Sequence, residues 1–311
     1  DCVSAVTVAS STVPAGCAEI TNATSATFTV TNDQSGKFII VGEFAANPAT
    51  AGISPVAKYS LSNSKVAPVN TGQVSISGTV LVGELLSSNS GTWVGADENV
   101  VAYQWFACTA AISQVSGTLP STCAVISGAT SNTYTLTRAQ NGKHVALKVT
   151  KRNAGGETFQ VSSSVGVVNE IPTLTVPVVT ITNPIIGSTS TPKVGSTLKS
   201  TSTAAGFPTP IVTKQWYACS TQDNTDCEVI TNATGADYLL AAGYDGKYIY
   251  VEYTATNSVG DAVSASAVSN QVLLAPVISS SPVISGNTTV GSTLTVAGEA
   301  ANMRPTSSAS Y

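Results

Sequence analysis

The stretch Gln104-Trp105-Phe106-Ala107-Cys108 returns almost unchanged as Gln215-Trp216-Tyr217-Ala218-Cys219. Similarity within one chain at a fixed distance is the sequence signature of a protein built from repeated structural units. These two copies fix the register of an internal alignment that extends in both directions along the chain.

The repeat continues behind the second cysteine of each copy, where it holds without a gap. The aligned segments are Cys17–Phe28, Cys123–Tyr134 and Cys227–Tyr238, followed in the same register by Gly36, Gly142 and Gly246. The front of the unit recurs too, as Val82-Gly83, Val194-Gly195 and Val290-Gly291. The period is about 105 residues, the size of one ordinary domain.

The register of the repeat predicts the domain organisation. Tyr311 aligns with Tyr103, one residue before the Gln-Trp pair, and Asp1 aligns with Ala107. The predicted domains are the C-terminal part of a domain without its first strands at 1–67, complete domains at 74–168 and 176–272, and the N-terminal part of a domain at 276–311.

Composition excludes several classes of function. Charged residues make up 10 % of the 311 residues, against roughly 25 % in a typical soluble domain. The net charge of −4 provides no basic footprint for nucleic acid. No apolar run reaches the roughly 18 residues of a membrane span. A surface rich in uncharged polar residues is common on secreted repeat proteins.

The local patterns predict strands and tight turns. Short alternating runs such as 143–150 and 159–165 are typical of strands separated by turn residues. Asn153-Ala-Gly-Gly and Asn257-Ser-Val-Gly predict hairpin turns, because Asn and Gly tolerate positive φ. No amphipathic helix of useful length is present. We therefore expect an all-β chain of tandem β-sandwiches arranged as a rod, with half-domains at both ends.

On these residues the chain resembles the tandem immunoglobulin-like (Ig-like) domains of large secreted bacterial surface proteins. Tyr103-Gln-Trp105 and Gln215-Trp216 resemble strand C with its core tryptophan, and Gly246-Lys-Tyr248 resembles the turn into strand F. Two departures are visible: Phe38 and His144 replace Tyr248 in the other units, and the usual disulfide between strands B and F is absent. The residues expected in the cores are Trp105, Trp216, Tyr134, Tyr238 and Phe28.

The six cysteines fall into one early and one late cysteine per unit. The pairs are Cys2 and Cys17, Cys108 and Cys123, and Cys219 and Cys227. A loop of varying length between fixed cysteines predicts three local disulfides, each joining the end of strand C to the next strand. Closing a 15-residue loop stabilises a fold by about 3 kcal/mol in the chain-entropy model. The rival interpretation, metal ligands, lacks accompanying histidines and CxxC pairs. Disulfides indicate an oxidising compartment.

No residue pattern indicates catalysis, and we expect neither enzyme activity nor a cofactor. His144, the only histidine, occupies an aromatic structural position. Asp223, Asp226 and Glu228 could hold a weak Ca²⁺, but the other units lack these carboxylates, which favours a solvated loop. Trp93 has no aromatic counterpart in the other units. It is either a surface on which a sugar stacks or a loop residue folded against its own sandwich.

Three Asn residues fit the N-glycosylation sequon. These are Asn22, Asn232 and Asn287. Two of them lie in a turn whose copy in the second unit has glycine, Gly128, so a turn preference for Asn or Gly explains them equally well.

The split units lead to the functional hypotheses. Residues 1–67 and 276–311 are complementary parts of one fold, so a copy of the chain could complete the next one head to tail, which produces filaments. Alternatively, the 311 residues are a window of a longer array and the continuing chain completes each domain. We expect a structural subunit or segment of an extracellular, cell-surface filament. The alternative is an adhesin stalk whose loops bind glycan or protein. No nucleic acid partner and no membrane span are expected.

Overall fold

The computed structural model describes residues 1–46, 56–97, 101–113, 118–182, 191–274, 277–278, 281–297 and 300–301. The chain divides into two compact units, Asp1–Glu170 and Ile171–Tyr311. The finer domain boundaries expected from the repeat remain predictions. The predicted equivalence of Tyr311 with Tyr103 lies outside the described residues.

The first unit is built from β-strands and two 3-10 turns. The strands are β1 (Gly42–Ala45), β2 (Val56–Tyr59), β3 (Val69–Asn70), β4 (Ser75–Ser77), β5 (Leu85–Asn89), β6 (Trp93–Val94), β7 (Val101–Cys108), β8 (Cys123–Val125), β9 (Thr133–Thr135), β10 (His144–Asn153) and β11 (Gly156–Val161); the 3-10 turns are Asn32–Gln34 and Arg138–Gln140. Strands β11, β10, β7 and β8 form an antiparallel four-stranded sheet in that order. Strands β4, β5 and β9 form a three-stranded sheet, and β1–β2 and β3–β6 are separate pairs.

The second unit has the same two principal sheets. Its strands are β12 (Glu170–Leu174, starting at the unit boundary), β13 (Val178–Thr182), β14 (Thr197–Thr201), β15 (Ala204–Phe207), β16 (Ile211–Cys219), β17 (Cys227–Val229), β18 (Asp237–Leu239), β19 (Tyr248–Asn257), β20 (Gly260–Ala265), β21 (Val277–Ile278), β22 (Val283–Ser285), β23 (Thr295–Ala297) and β24 (Ala300–Ala301). The sheet orders are β17-β16-β19-β20 and β13-β14-β18, with three further pairs, β12–β15, β21–β24 and β22–β23.

Each unit holds one tryptophan at the centre of a sandwich. Trp105 is fully buried together with Leu86 of one sheet and Leu147 of the other. Trp216 is fully buried in the same way, against Leu198 and Val251. Since both sheets contribute to one apolar core, the fold is an all-β Ig-like sandwich, as the sequence predicts.

The Gln-Trp pair is repeated because the two side chains tie the strand to the following turn. Gln104 Nε2 donates to Ile126 O at 2.9 Å and to Trp105 O at 3.0 Å. The Trp105 indole donates to Ser131 O at 2.8 Å and lies 5.8 Å from the Tyr134 ring, centroid to centroid. The second unit reproduces this arrangement, since Gln215 donates to Ile230 O and the Trp216 indole to Gly235 O, with Tyr238 beside it.

One expected core residue is not in a core. Phe28, the counterpart of Tyr134 in the internal alignment, is 39 % exposed. In the complete sandwich the strand of Tyr134 pairs with β5, and Leu86 lies opposite Tyr134. Among the described residues, no strand pairs with the segment of Phe28 as β5 pairs with the segment of Tyr134.

Candidate assembly surfaces

The structure contains three disulfides, and each of them closes one loop. They join Cys2 to Cys17, Cys108 to Cys123, and Cys219 to Cys227. Two of the bonds link directly opposed residues at the ends of antiparallel strands, β7 with β8 and β16 with β17. Each of these two bonds therefore holds the far end of the strand that carries the buried tryptophan.

The long disulfide loop folds onto the outer face of its own sheet. Ile112 and Leu119 pack on a second apolar cluster that includes Phe106 and Ala146. Ile112 N donates to Ser164 Oγ and Ser164 N donates to Ile112 O, both at 3.0 Å. This surface is therefore covered by the loop in the first complete sandwich.

In the second unit, the outer face of the equivalent sheet has different contacts because the disulfide loop is short. Residues 220–226 are all polar, and the position equivalent to Ser164 is Val268. In place of the loop, Tyr217 and Tyr250 stack with centroids 4.8 Å apart and planes at 7°. Burial raises the pKa of the Tyr217 phenol, and the Glu252 carboxylate raises it further. Sequence analysis missed this tyrosine pair, although the 8-residue cysteine spacing was the signal for it.

The residues considered as catalytic groups or metal ligands make hydrogen bonds to neighbouring parts of their own sandwich. His144 Nδ1 lies 3.0 Å from Val165 O beside the β10–β7 pair. Hydrogen bonds from the Thr221 hydroxyl, and then from the Thr225 hydroxyl and backbone N–H, lower the pKa of Asp223. Among the described residues, no three His, Cys, Asp or Glu side chains gather as metal ligands. No helix in the described part of the chain is long and apolar enough to cross a membrane.

The candidate carbohydrate residue Trp93 is packed in its own turn. Its indole donates to Ser90 O at 2.7 Å, and its ring rests against the Trp105 core. The three sequon asparagines are exposed. Asn22 and Asn232 have φ of 63° and 62°, and the equivalent Gly128 has 74°. Backbone conformation thus accounts for Asn and Gly at this turn, and glycosylation remains a prediction.

Two polar side chains join residues 1–67 to the sandwich that follows. Asn153 Nδ2 donates to Val66 O at 2.8 Å and to Gly95 O at 2.6 Å. The Ser35 hydroxyl bonds Ala67 O at 2.7 Å and lies 2.9 Å from Val94 O. Both side chains bridge the connecting segment and the β6 region of the next sandwich. We name these contacts the junction.

Glycines let the two sides of the junction meet backbone to backbone. A Cβ at Gly36 would lie 2.4 Å from Gly95 Cα, and a Cβ at Gly155 would lie 1.5 Å from Lys65 O. Neither position can accept a side chain without moving the two parts of the unit apart. The ion pair Lys65–Asp97, at 3.3 Å, lies at the same place.

An apolar face of residues 1–67 is open to solvent. Val30 is 47 % exposed and Val41 is 66 % exposed, whereas their counterparts Leu136 and Leu147 are 1 % and 0 % exposed. Phe28 shows the same difference, since it is 39 % exposed and its counterpart Tyr134 packs against the Trp105 core. In the complete sandwiches the equivalent surface packs against the three-stranded sheet.

Comparison with known proteins finds no family model and no curated protein that matches the chain. Among solved structures, a chimeric titin Z1Z2 is 17 % identical over 67 % of this chain and 97 % of its own, with a TM-score of 0.20. The mouse nectin-like molecule 4 ectodomain is 16 % identical over 75 % and 81 %, with a TM-score of 0.28. Three N-terminal domains of the bacteriophage RB49 outer capsid protein Hoc are 14 % identical over 74 % and 70 %, with a TM-score of 0.27. With scores this low, the fold assignment rests on the strand pairing and cores described above.

Proposed function

We propose that the chain is a structural module of an extracellular filament in which Ig-like domains follow one another head to tail. The junction is the observation that carries the proposal. Asn153 and Ser35 hold the connecting segment by hydrogen bonds. The backbones of Gly36 and Gly95 approach closely, which restricts movement of the two parts against each other. Such a connection transmits orientation from one domain to the next, which a Gly/Ser-rich flexible linker does not.

Two further observations support an extracellular structural role. The described cysteines are all paired in three disulfides, and disulfides persist in oxidising compartments. The low charge reduces repulsion between laterally packed chains. Labelling of intact source cells by a membrane-impermeant reagent checks the location, and protection of the chain until lysis would contradict it.

A glycine substitution tests the junction, and the chain provides a matched control. Gly155→Ala places a methyl group against Lys65 O, whereas a Cβ at Gly166 meets nothing within 4 Å. We expect a narrow distribution of spin-label distances between positions 13 and 125, both exposed. Gly155→Ala should broaden or shift that distribution, and Gly166→Ala should leave it unchanged. A broad distribution in the unsubstituted chain would refute the rigid connection.

A further inference from the structure

Tyr217 and Tyr250 lie opposite each other on the two central strands of the second sandwich. They are paired in register between β16 and β19, and their rings stack with centroids 4.8 Å apart and planes at 7°. Directly opposed residues of antiparallel strands have Cβ atoms about 4.5–5.5 Å apart. The backbone therefore holds two phenol rings side by side in nearly parallel planes.

One ring of this pair is open to solvent. Tyr217 is partly exposed, whereas Tyr250 is only 8 % exposed. In the first sandwich the equivalent positions carry Phe106 and Ala146, and both are buried in the cluster that the long disulfide loop covers. The second sandwich thus has two oxidisable rings at a place where the first has none.

A carboxylate lies at the phenol oxygen of Tyr217. Glu252 accepts a hydrogen bond from the Tyr217 hydroxyl, and its charge acts on Tyr250 as well. In the described part of the second unit, no Lys or Arg side chain forms a salt bridge with Glu252. The equivalent residue of the first unit is Lys148, a cation that cannot accept a proton at neutral pH. Glu252 is therefore placed to take up the phenol proton when Tyr217 loses an electron, as a general base does.

We propose that Tyr217 and Tyr250 are the site of an oxidative cross-link, in which a carbon–carbon bond joins the two rings as dityrosine. The oxidant is hydrogen peroxide acting through a peroxidase. The new bond ties β16 to β19, the two central strands of the sheet. It gives a second covalent tie to the sandwich whose disulfide loop spans only 8 residues.

The cross-linking reaction removes two electrons and two protons in total. Tyr217 first gives one electron to the oxidant and its phenol proton to Glu252. Tyr250 then passes an electron to the Tyr217 radical across the stacked rings and releases its phenol proton to water, while Tyr217 regains its proton from Glu252. A second oxidation of Tyr217 leaves one radical on each ring, and the radicals couple at the carbons ortho to the hydroxyls. Each coupled carbon then loses its hydrogen as a proton and each phenol oxygen regains one, while hydrogen peroxide takes up the two electrons and two protons and becomes water.

Peroxidase treatment of the full disulfide-bonded chain tests the assignment. At a dilution where separate copies do not couple, the product should be a monomer that has lost two hydrogen atoms and shows dityrosine fluorescence. Peptide mass spectrometry should place the link between Tyr217 and Tyr250. Tyr238 and Tyr244 provide an internal comparison in the same sandwich, because their rings are 6.2 Å apart with planes at 77° and should stay unlinked.

Conservative variants separate this pair from the other tyrosines. Tyr217→Phe should abolish the link and should still fold, because Phe106 occupies the equivalent position in the first unit. The matched control is Tyr248→Phe, on the same strand as Tyr250 and with Phe38 as its counterpart, and it should leave the yield unchanged. Glu252→Gln should slow cross-linking at least about tenfold, because the amide does not accept the phenol proton.

Hydrogen exchange measures what the link does to the fold. The cross-linked chain should show global exchange of β19 slowed by roughly a hundredfold, because the link closes a chain segment longer than any of the three disulfide loops. Exchange of β10, which belongs to a separate core, should not change. Unchanged exchange of β19 in the linked chain would overturn the role of the bond as a tie.

Three results would overturn the site itself. They are the absence of a link in a chain whose protected β19 shows that it is folded, an equal yield of a link between Tyr238 and Tyr244, and an undiminished yield of dityrosine in Tyr217→Phe. An unchanged rate of cross-linking in Glu252→Gln would overturn the role of Glu252 as the proton acceptor.

Discussion

Replacing Gln104 by methionine should destabilise the first complete sandwich by about 1–2 kcal/mol. Methionine keeps roughly the same volume, so the change removes hydrogen bonds more than packing. Gln104 Nε2 makes two short bonds, to Ile126 O and Trp105 O, each worth about 0.5–1.5 kcal/mol. The low end applies because both carbonyls also accept a backbone N–H, Ile126 O from Ala129 N and Trp105 O from Ile126 N.

The assay is hydrogen–deuterium exchange resolved to peptides of β10 and β19, which belong to separate cores. A loss of 1–2 kcal/mol should speed global exchange of β10 by about 5- to 30-fold. Gln215→Met should do the same to β19, because Gln215 makes the same bonds at 2.8 and 2.9 Å. In Gln104→Met, unchanged protection of β10 from exchange would refute the reasoning. An equally large loss of protection in β19 of the same variant would also refute it.

Two further predictions concern the disulfides and the tyrosines. Replacing Cys108 and Cys123 by alanine should cost about 3 kcal/mol; the same change at Cys219 and Cys227 should cost less, because that loop spans 8 residues instead of 15 and covers no apolar cluster. Urea midpoints of the two double variants decide this, and an equal or reversed order contradicts it. Burial, and then Tyr244, raises the pKa of Tyr238 above its ordinary 10.0, so the folded state retains a proton that the unfolded state releases. The free energy of unfolding should therefore fall as the pH rises above 10. Urea titrations of Tyr238→Phe should show a weaker dependence of this free energy on pH. An unaltered pH dependence would contradict the prediction.

The features that the sequence predicted well are those that depend on near neighbours in the chain. The two-residue turns at Asn153–Gly156 and Asn257–Gly260 close the hairpins β10–β11 and β19–β20. Gly156 and Gly260 adopt positive φ, whereas each Asn side chain accepts a hydrogen bond from the backbone N–H two residues later. The local cysteine spacing led to the disulfides that the structure contains. The resemblance of the Gln-Trp pair to strand C of Ig-like domains led to the expectation that Trp105 and Trp216 lie in the cores, and both are fully buried.

The features that the sequence did not reveal depend on which distant surfaces meet. Ser35 and Val94 are 59 residues apart, and no local pattern marks their contact. The stacking of Tyr217 on Tyr250 depends on the absence of a covering loop, which only comparison with the long-loop unit makes visible. Phe28 follows the core pattern of its counterparts, but burial requires a partner strand that the alternation itself does not supply.

All four acceptors at the junction are backbone carbonyls: Val66 O, Gly95 O, Ala67 O and Val94 O. A main-chain acceptor is present whatever side chain its residue carries. The side chains of Val66, Ala67 and Val94 can therefore change without removal of these hydrogen bonds, provided that the backbones still approach each other. The donors are under the opposite constraint, because loss of the Asn153 amide or of the Ser35 hydroxyl removes the hydrogen bonds themselves.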